Sequence, residues 1–524
     1  MEARFGRRGC MSRLTPLASG LAIAFAIGCG TTSAIQAKTL ADYPTMSAVI
    51  ERYRQGHAPP LTTSWRKPID RSALDLRHPL PVSRQPVPAG AIPVTNCNDA
   101  GPGSLRDAVD NIAVSGDVID LTNTGCSTIT LTTGDIFMGQ DDLTLQGPGS
   151  SSLSIDGSYL YSLRHVGTET LGVYDLAVVN GRKYLDAGAT FDASGGCIYS
   201  YGTLSLSNSA VLSCSASTAN EMQVAKGGAL YGKTGVLLSN SVVGLAQAGT
   251  GSEIGIGGGI YSPGSVVMAY SLVASNAAFF GGGVLGLSGT VSKYSSILSN
   301  EAVQGGGIYT FGNAFIENST IAGNHAQIGG GLWMNGTGAT TPITLVNSTV
   351  SLNGAQVIPG VIVTGYPARI ANSTIAFNVE TNPADATYGA GLYAGYAVEL
   401  QSNIIAQNSL NHSTSGYVPD DIGGGVGVVI SGANNITRFV VPDQSAPPDT
   451  LYADPLLNDL GNNGGLTATH SLNPASPAIE AGNNVAGFSA DQRGAGFPRV
   501  IGANADIGAV EFDLDDFIFA NGFD

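Results

Sequence analysis

The chain is poor in charge. Only 12% of its 524 residues are Asp, Glu, Lys or Arg, and 23 cations face 39 acids, for a formal net charge of −16. That balance argues against nucleic acid as a partner and disfavours docking on an anionic membrane or a polyanionic substrate. Histidines number 6 and aromatic residues make up 7%. No Asp occurs between positions 227 and 380, where the charged residues are Lys233, Glu253, Lys293, Glu301, Glu317, Arg369 and Glu380. That stretch offers no obvious pair of carboxylates for glycoside hydrolysis, and His325 stands alone at a turn. Beyond the first 30 or so residues no apolar run is long enough to span a bilayer. Cysteine is sparse and never spaced Cys-x-x-Cys, so zinc is not expected. Disorder is excluded by the 43% apolar content.

What is abundant is glycine, with 72 residues, and much of it recurs in one phrase. The phrase reads GGCIY at 195–199, GGALY at 227–231, GGGIY at 257–261, GGGVL at 281–285, GGGIY at 305–309, GGGLW at 329–333 and GAGLY at 389–393. Its third positions, Cys197, Ala229, Gly259, Gly283, Gly307, Gly331 and Gly391, are separated by 32, 30, 24, 24, 24 and 60 residues, the last being two units with a degenerate copy near Gly360. A second phrase alternates with it: NSAVLS at 208–213, NSVVGL at 240–245, NSTIAGN at 318–324, NSTVSLN at 347–353 and NSTIAFN at 372–378. Each unit thus holds short apolar strands closed by Gly, Asn and Ser turns, too short for helical repeats. Such units fit coils of a parallel β-helix, which bury their Ile, Val and Leu only when stacked. The intervals of 24 read as bare coils, and those of 30 and 32 as coils with extra loop. Asn276, Asn300, Asn324, Asn353, Asn378 and Asn408 recur at one corner and are expected to form a structural ladder, amide to amide. The Asn-x-Ser/Thr sequons at 318–320, 347–349 and 372–374 are by-products of the repeat.

The first 37 residues, with Arg4, Arg7, Arg8 and Arg13 ahead of an apolar Leu17–Ile27 stretch, read as a signal peptide. Cleavage after Ala34 or Ala37 is favoured over lipidation of Cys29. Residues 38–92 are basic and Pro-rich, an extended linker with a short helix near Thr45–Tyr53. The four remaining cysteines, Cys97, Cys126, Cys197 and Cys214, suit an exported protein with disulfides, and sequence neighbours make Cys97–Cys126 and Cys197–Cys214 the natural pairs.

From Asn96 a cap begins. Ser104 followed by Asp107 makes a near capping box, and Leu105, Ala108, Val109 and Ile112 define one apolar helix face. Strands are expected at Val118–Leu121, Thr128–Leu131, Leu143–Leu145 and Leu153–Ile155. A Gly-Ser-Leu-Arg-Asp-Ala run at 103–108 resembles the Cys-Ser-Leu-Arg-Glu-Ala motif of bacterial exported right-handed β-helix proteins, with the cysteine displaced to Cys97. The Gly-Gly phrase is similar to the repeat of polymorphic outer-membrane proteins. The C-terminal stretch resembles a choice-of-anchor module through Asp454-Pro-Leu-Leu, Asn462-Asn-Gly-Gly, Thr469-His-Ser-Leu, Asp491-Gln-Arg-Gly and Asp506-Ile-Gly-Ala-Val-Glu. These resemblances imply export and a solenoid, not an activity. The 18 residues after Asp506 leave no room for the membrane barrel of polymorphic autotransporters. Anchoring is therefore expected to use the tail, a partner or a lipid on Cys29.

The expected architecture is all-β: a single-stranded right-handed parallel β-helix over 93–430 with an N-terminal helical cap, a C-terminal β-helix end and capping module over 431–512, and a tail over 513–524. The expected role is structural or adhesive, at the cell surface or in secretion, with polysaccharide or cell-surface glycans as partners, no integral membrane domain and no cofactor. The alternative is a polysaccharide lyase or glycoside hydrolase, with calcium only in the lyase case. Its candidate residues are Arg182, Lys183, Asp186 and Asp192, in a loop that breaks the rhythm of the coils, with the Glu221–Lys226 insertion one coil later. Asp420–Asp421 is a further acidic spot, and Asp491 with Arg493 reads as a structural ion pair.

Overall fold

The computed structural model describes residues 86–513 except 221, 250–252 and 382–387, together with a two-residue antiparallel pairing of Ala22–Ile23 with Lys38–Thr39. The rest of the signal segment, Cys29, the helix expected near Thr45–Tyr53 and the tail from 514 lie outside the described residues.

Three-residue to five-residue strands are too short to hold together alone, and each is stabilised by its copy in the next coil. The chain winds as a right-handed parallel β-helix with three long sheets, the hand that parallel crossovers almost always take. The first sheet has 13 strands, from Ile92–Pro93 to Ile430–Ala433. The second also has 13, from Thr128–Thr130 to Leu451–Tyr452, and the third has 11, from Ile136–Met138 to Ile422–Gly424. Inward positions stack in register: Val211, Val243, Val273, Ile297 and Ile321 are successive partners in the second sheet, and all are buried.

Cross-coil polar ladders fix the corners. Each Asn of the expected series passes its amide on: Nδ2 of Asn276 donates to Oδ1 of Asn300, Asn300 to Asn324, Asn324 to Asn353, Asn353 to Asn378 and Asn378 to Asn408, all at 2.8–3.0 Å. The third glycine of the phrase exists for this ladder, since a Cβ on Gly259 would lie 2.9 Å from the Asn276 amide nitrogen. Before the ladder starts, Cys197 and Cys214 occupy the equivalent places and are bridged, as are Cys97 and Cys126. A serine ladder that the sequence reading did not anticipate runs at another corner, where the backbone N–H of Ser209, Ser241, Ser271, Ser295 and Ser319 each donates to the hydroxyl of the next coil's serine.

At the N-terminal end, Ser104 caps a helix of Leu105–Asp107, accepting from the Asp107 N–H at 3.1 Å, while Asp107 accepts from Gly103 N–H. The helix then widens to a π-turn over Ala108–Ile112. Leu105, Ala108 and Val109 are buried as expected, but Ile112 is 53% exposed. The wider turn carries the seventh position off the apolar face. Arg106 pins the cap by donating to carbonyls of Asp99, Gly134 and Asp135.

Residues beyond 430 divide between two roles. Those up to Val441 finish the last coil, with Ile422 donating to Phe439 and Val441 donating back to Ile422. The stretch from Asp454 then turns back along the outside of the second sheet. There it meets the Asn-Ser-Thr phrases: Asn318 donates to the carbonyls of Asp491 and Gln492, Asn347 to Ala490 and Asn372 to Asn483. The sequon asparagines are therefore turn residues that hold this strap. Inside it, Asp491 pairs with Arg493 and Glu511 with Arg499, both at 2.8 Å and buried.

Candidate functional site

In each strand of the third sheet the middle residue of Ile-Tyr or Leu-Trp points outward. In the central coils these outward side chains are nonetheless covered. Tyr261, Leu285, Tyr309, Trp333, Ile362 and Tyr393 form a second apolar cluster with Ile256, Phe280, Ile328 and Ile358. The covering residues stand four or five positions earlier in each coil, just before the Gly-Gly turn. That turn folds the outer surface of one side onto the next.

The cover stops toward the N-terminus. Where Ile256 and Phe280 cover their coils, the register partners in the two preceding coils are Lys226 and Ser194. The outward column is consequently open over four coils, with Phe137, Arg164, Tyr199 and Tyr231 as successive partners. Phe137 is 58% exposed and the other three are half-buried. Tyr199 and Tyr231 stack with centroids 5.0 Å apart and planes within 9°. The Arg164 guanidinium lies 4.2 Å from the Tyr199 ring centre and donates to the carbonyls of Ser194 and Gly195. Burial draws it down to about 10, opposed by Asp135, so it stays charged at neutral pH. Burial raises the Tyr231 phenol to about 12.

One rim of this column is built by the stretched coils. Their extra residues form a fin: strands Arg182–Leu185, Ser215–Thr218 and Gln247–Ala248 run out, and Ala193–Ser194, Val224–Lys226 and Ile254–Ile256 run back. Leu185, Ala193, Ala216, Ala225 and Ala248 pack between the two layers. The intervals of 32 and 30 are thus coils carrying an excursion. Lys183 reaches Asp135 at 3.1 Å, and Lys226 reaches Asp192 at 2.6 Å. Asp192 also accepts from the Val224 N–H at 2.8 Å. The opposite rim is the turn after the third sheet, where the Lys233 ammonium sits 3.4 Å from the centre of the Tyr201 ring and draws that phenol's pKa down.

The four residues singled out from sequence do not converge. Lys183 and Asp192 face the column, each in an ion pair with a different partner. Arg182 lies over the ring of Tyr184 at 4.9 Å, and Asp186 is exposed at the fin's tip. Glu221 lies outside the described residues. The residues that sequence reasoning missed are Asp135, Arg164, Tyr199 and Tyr231, which stacking brings together from four coils. The available signal was the replacement of Ile256 and Phe280 by Lys226 and Ser194 ahead of the aromatic.

Other polar spots are structural. Asp420 accepts from the backbone N–H of Tyr388, Gly389 and Ala390, and Asp421 terminates the asparagine ladder. Two Ser–His pairs, His165 with Ser200 at 2.7 Å and His470 with Ser351 at 2.8 Å, are fully buried with their second ring nitrogens on backbone carbonyls. Burial lowers both imidazoles, and neither can meet a substrate. His325 follows the ladder residue Asn324, is exposed at the start of the strand His325–Ile328, and is in register with Glu301. Among the described residues no three His, Cys, Asp or Glu side chains are placed to hold a metal ion, and no helix is long and apolar enough to cross a membrane. No family model, no curated protein and no solved structure matches the chain, so the resemblance to exported β-helix repeats and to choice-of-anchor modules rests on the quoted motifs alone.

Proposed function

We propose that the chain is an exported β-helix protein, secreted or held at the cell surface, that contacts glycans in a structural or adhesive role. The observation that carries this reading is the half-buried Tyr199–Tyr231 stack, left open between two charged rims. A flat aromatic floor meets the C–H face of a sugar ring, and flanking charged groups meet its hydroxyls, the division of labour that small-molecule sites use. The two disulfides and the basic, then apolar, N-terminus support export. The lyase or hydrolase alternative has less support. The carboxylates beside the column, Asp135 and Asp192, are both held by lysines rather than poised over an open face.

Calorimetric titration of the mature chain with neutral and uronate oligosaccharides tests this. Binding is expected, and Tyr199→Ala with Tyr231→Ala should abolish it without altering the circular dichroism. A chain that binds sugars equally well after both changes refutes the assignment of the site. Turnover of any of these glycans that is lost in Asp192→Ala would favour the enzyme.

A further inference from the structure

The open column has a direction and a length. Phe137, Arg164, Tyr199 and Tyr231 stand one above another along the solenoid axis, one per coil, in unbroken register. Successive coils rise by about 4.8 Å, close to the repeat of an extended chain of 1,4-linked pyranose rings. Beyond Tyr231 the next member, Tyr261, is only 4% exposed beneath its cover, so the column closes there. At the other end Phe137 belongs to the first strand of the third sheet, so the column ends there too. Both flanks are continuous along the axis: Asp135–Lys183 and Asp192–Lys226 on the fin side, Tyr201 with Lys233 on the other.

We infer that the ligand is a linear, extended oligosaccharide segment of about four rings, lying parallel to the solenoid axis with one ring per coil. This rests on the glycan reading above and adds orientation, length and chain linearity. A branched or compact sugar would fit the stacked pair but not the column. Arg164 is the only charged member of the floor and places a fixed guanidinium at the second ring. Lys233 has no carboxylate partner among the described residues and stands beside the third and fourth. An acidic ring is therefore accepted locally, despite the chain's negative charge, because distant charges are screened beyond roughly 10 Å at 0.1 M salt.

The test is a length series of two to eight rings, titrated calorimetrically in two arms, 1,4-linked glucan and 1,4-linked galacturonan. Affinity should rise at least tenfold from two rings to four and less than twofold from four to eight. Phe137→Ala, at a position 58% exposed, should remove the gain from the third to the fourth ring. A plateau at two rings, or a gain continuing to eight, overturns the axial column while leaving glycan binding intact. Failure of both arms to bind at any length overturns the glycan reading itself. A stronger galacturonan arm that loses its advantage in Lys233→Met supports the acidic contact. Equal arms, unchanged by that substitution, remove it.

Discussion

Asn408 hands the asparagine ladder to a carboxylate. Its backbone N–H and its side-chain amide both donate to Oδ1 of Asp421, at 2.9 and 3.1 Å. Every amide from Asn276 onward points its N–H end the same way, so the column presents a partial positive end to the last coil. Asp421 receives it there, and its Oδ2 accepts the backbone N–H groups of Arg438 and Phe439 that close that coil. An acid ends the row as an acid caps a helix N-terminus, by the same logic of aligned dipoles.

That ending makes stability depend on pH. Burial pushes Asp420 up to about 7 and Asp421 up to about 6, against hydrogen bonds that pull them down. Folded-state values above the unfolded value of 3.8 mean that the native chain binds more protons than the unfolded one between those limits. Their stabilising contribution is complete below about pH 4 and is lost as pH rises through the folded-state values to about 7. Unfolding midpoints in urea at pH 4.5 and 7.5 should show the wild type more stable at the lower pH. Asp420→Asn should shrink that difference. A midpoint that rises with pH over this window would show that both carboxyls are ionised in the fold.

Breaking an interior rung should cost more than breaking the end. Asn324→Ala removes the acceptor of both the Asn300 amide and the Asn300 N–H, at 2.9 Å each, and strands them in a buried corner. The expected loss is about 2–4 kcal/mol, from two orphaned donors. Asn276→Ala removes only the acceptor of the Ala246 N–H at 3.0 Å and the amide's own donations, so its loss should be nearer half. Equal losses would mean that water enters the corner and replaces the amide.

The coils were legible because the same residue types return at the same place: Gly-Gly before a strand, Asn after one. The fin was legible as stretched intervals, which is why Lys183 and Asp192 drew notice. Tyr309 and Trp333 were harder. The four-residue strand Ile308–Phe311, with Ile308 and Tyr309 side by side, is apolar on both faces, and alternation then does not say which faces inward. The strap was illegible for another reason. Thr320, Thr349 and Thr374 differ from Ala210, Val242 and Leu272 at the same column, but only a contact about 130–150 residues away in sequence explains the hydroxyls.

That strap should detach as a unit. Gln492 is its central pin: it accepts from the Thr349 hydroxyl at 2.6 Å, and its amide reaches Thr320 and Thr467 at 3.0 Å each. Gln492→Ala should cost about 2–3 kcal/mol, through unpaired buried hydroxyls. Limited proteolysis should then cut within 454–513 while the solenoid survives, its far-ultraviolet dichroism unchanged. Loss of the whole solenoid signal along with the strap would show that the two fold as one cooperative body.

The outer aromatic column should divide into a structural half and an open half. Trp333 is 4% exposed, stacked on Tyr309 at 4.6 Å, with its indole N–H donating to Thr364 at 3.3 Å. Trp333→Ala opens a cavity in the second cluster and should cost about 3–5 kcal/mol. Tyr199 sits in the same register but is half-buried, and its ring is shared with solvent and Arg164. Tyr199→Ala should cost about 1 kcal/mol, the contribution of a partly exposed aromatic pair. Urea midpoints of the two variants measure the contrast directly. If Tyr199→Ala is as damaging as Trp333→Ala, the N-terminal column is covered in solution and cannot be a contact surface. If only Trp333→Ala is damaging, the same Gly-Gly-x-apolar-aromatic phrase builds core in one half of the solenoid and leaves an open aromatic strip in the other. What separates the halves is then the residue ahead of the turn, Ile256 or Phe280 in one, Ser194 or Lys226 in the other.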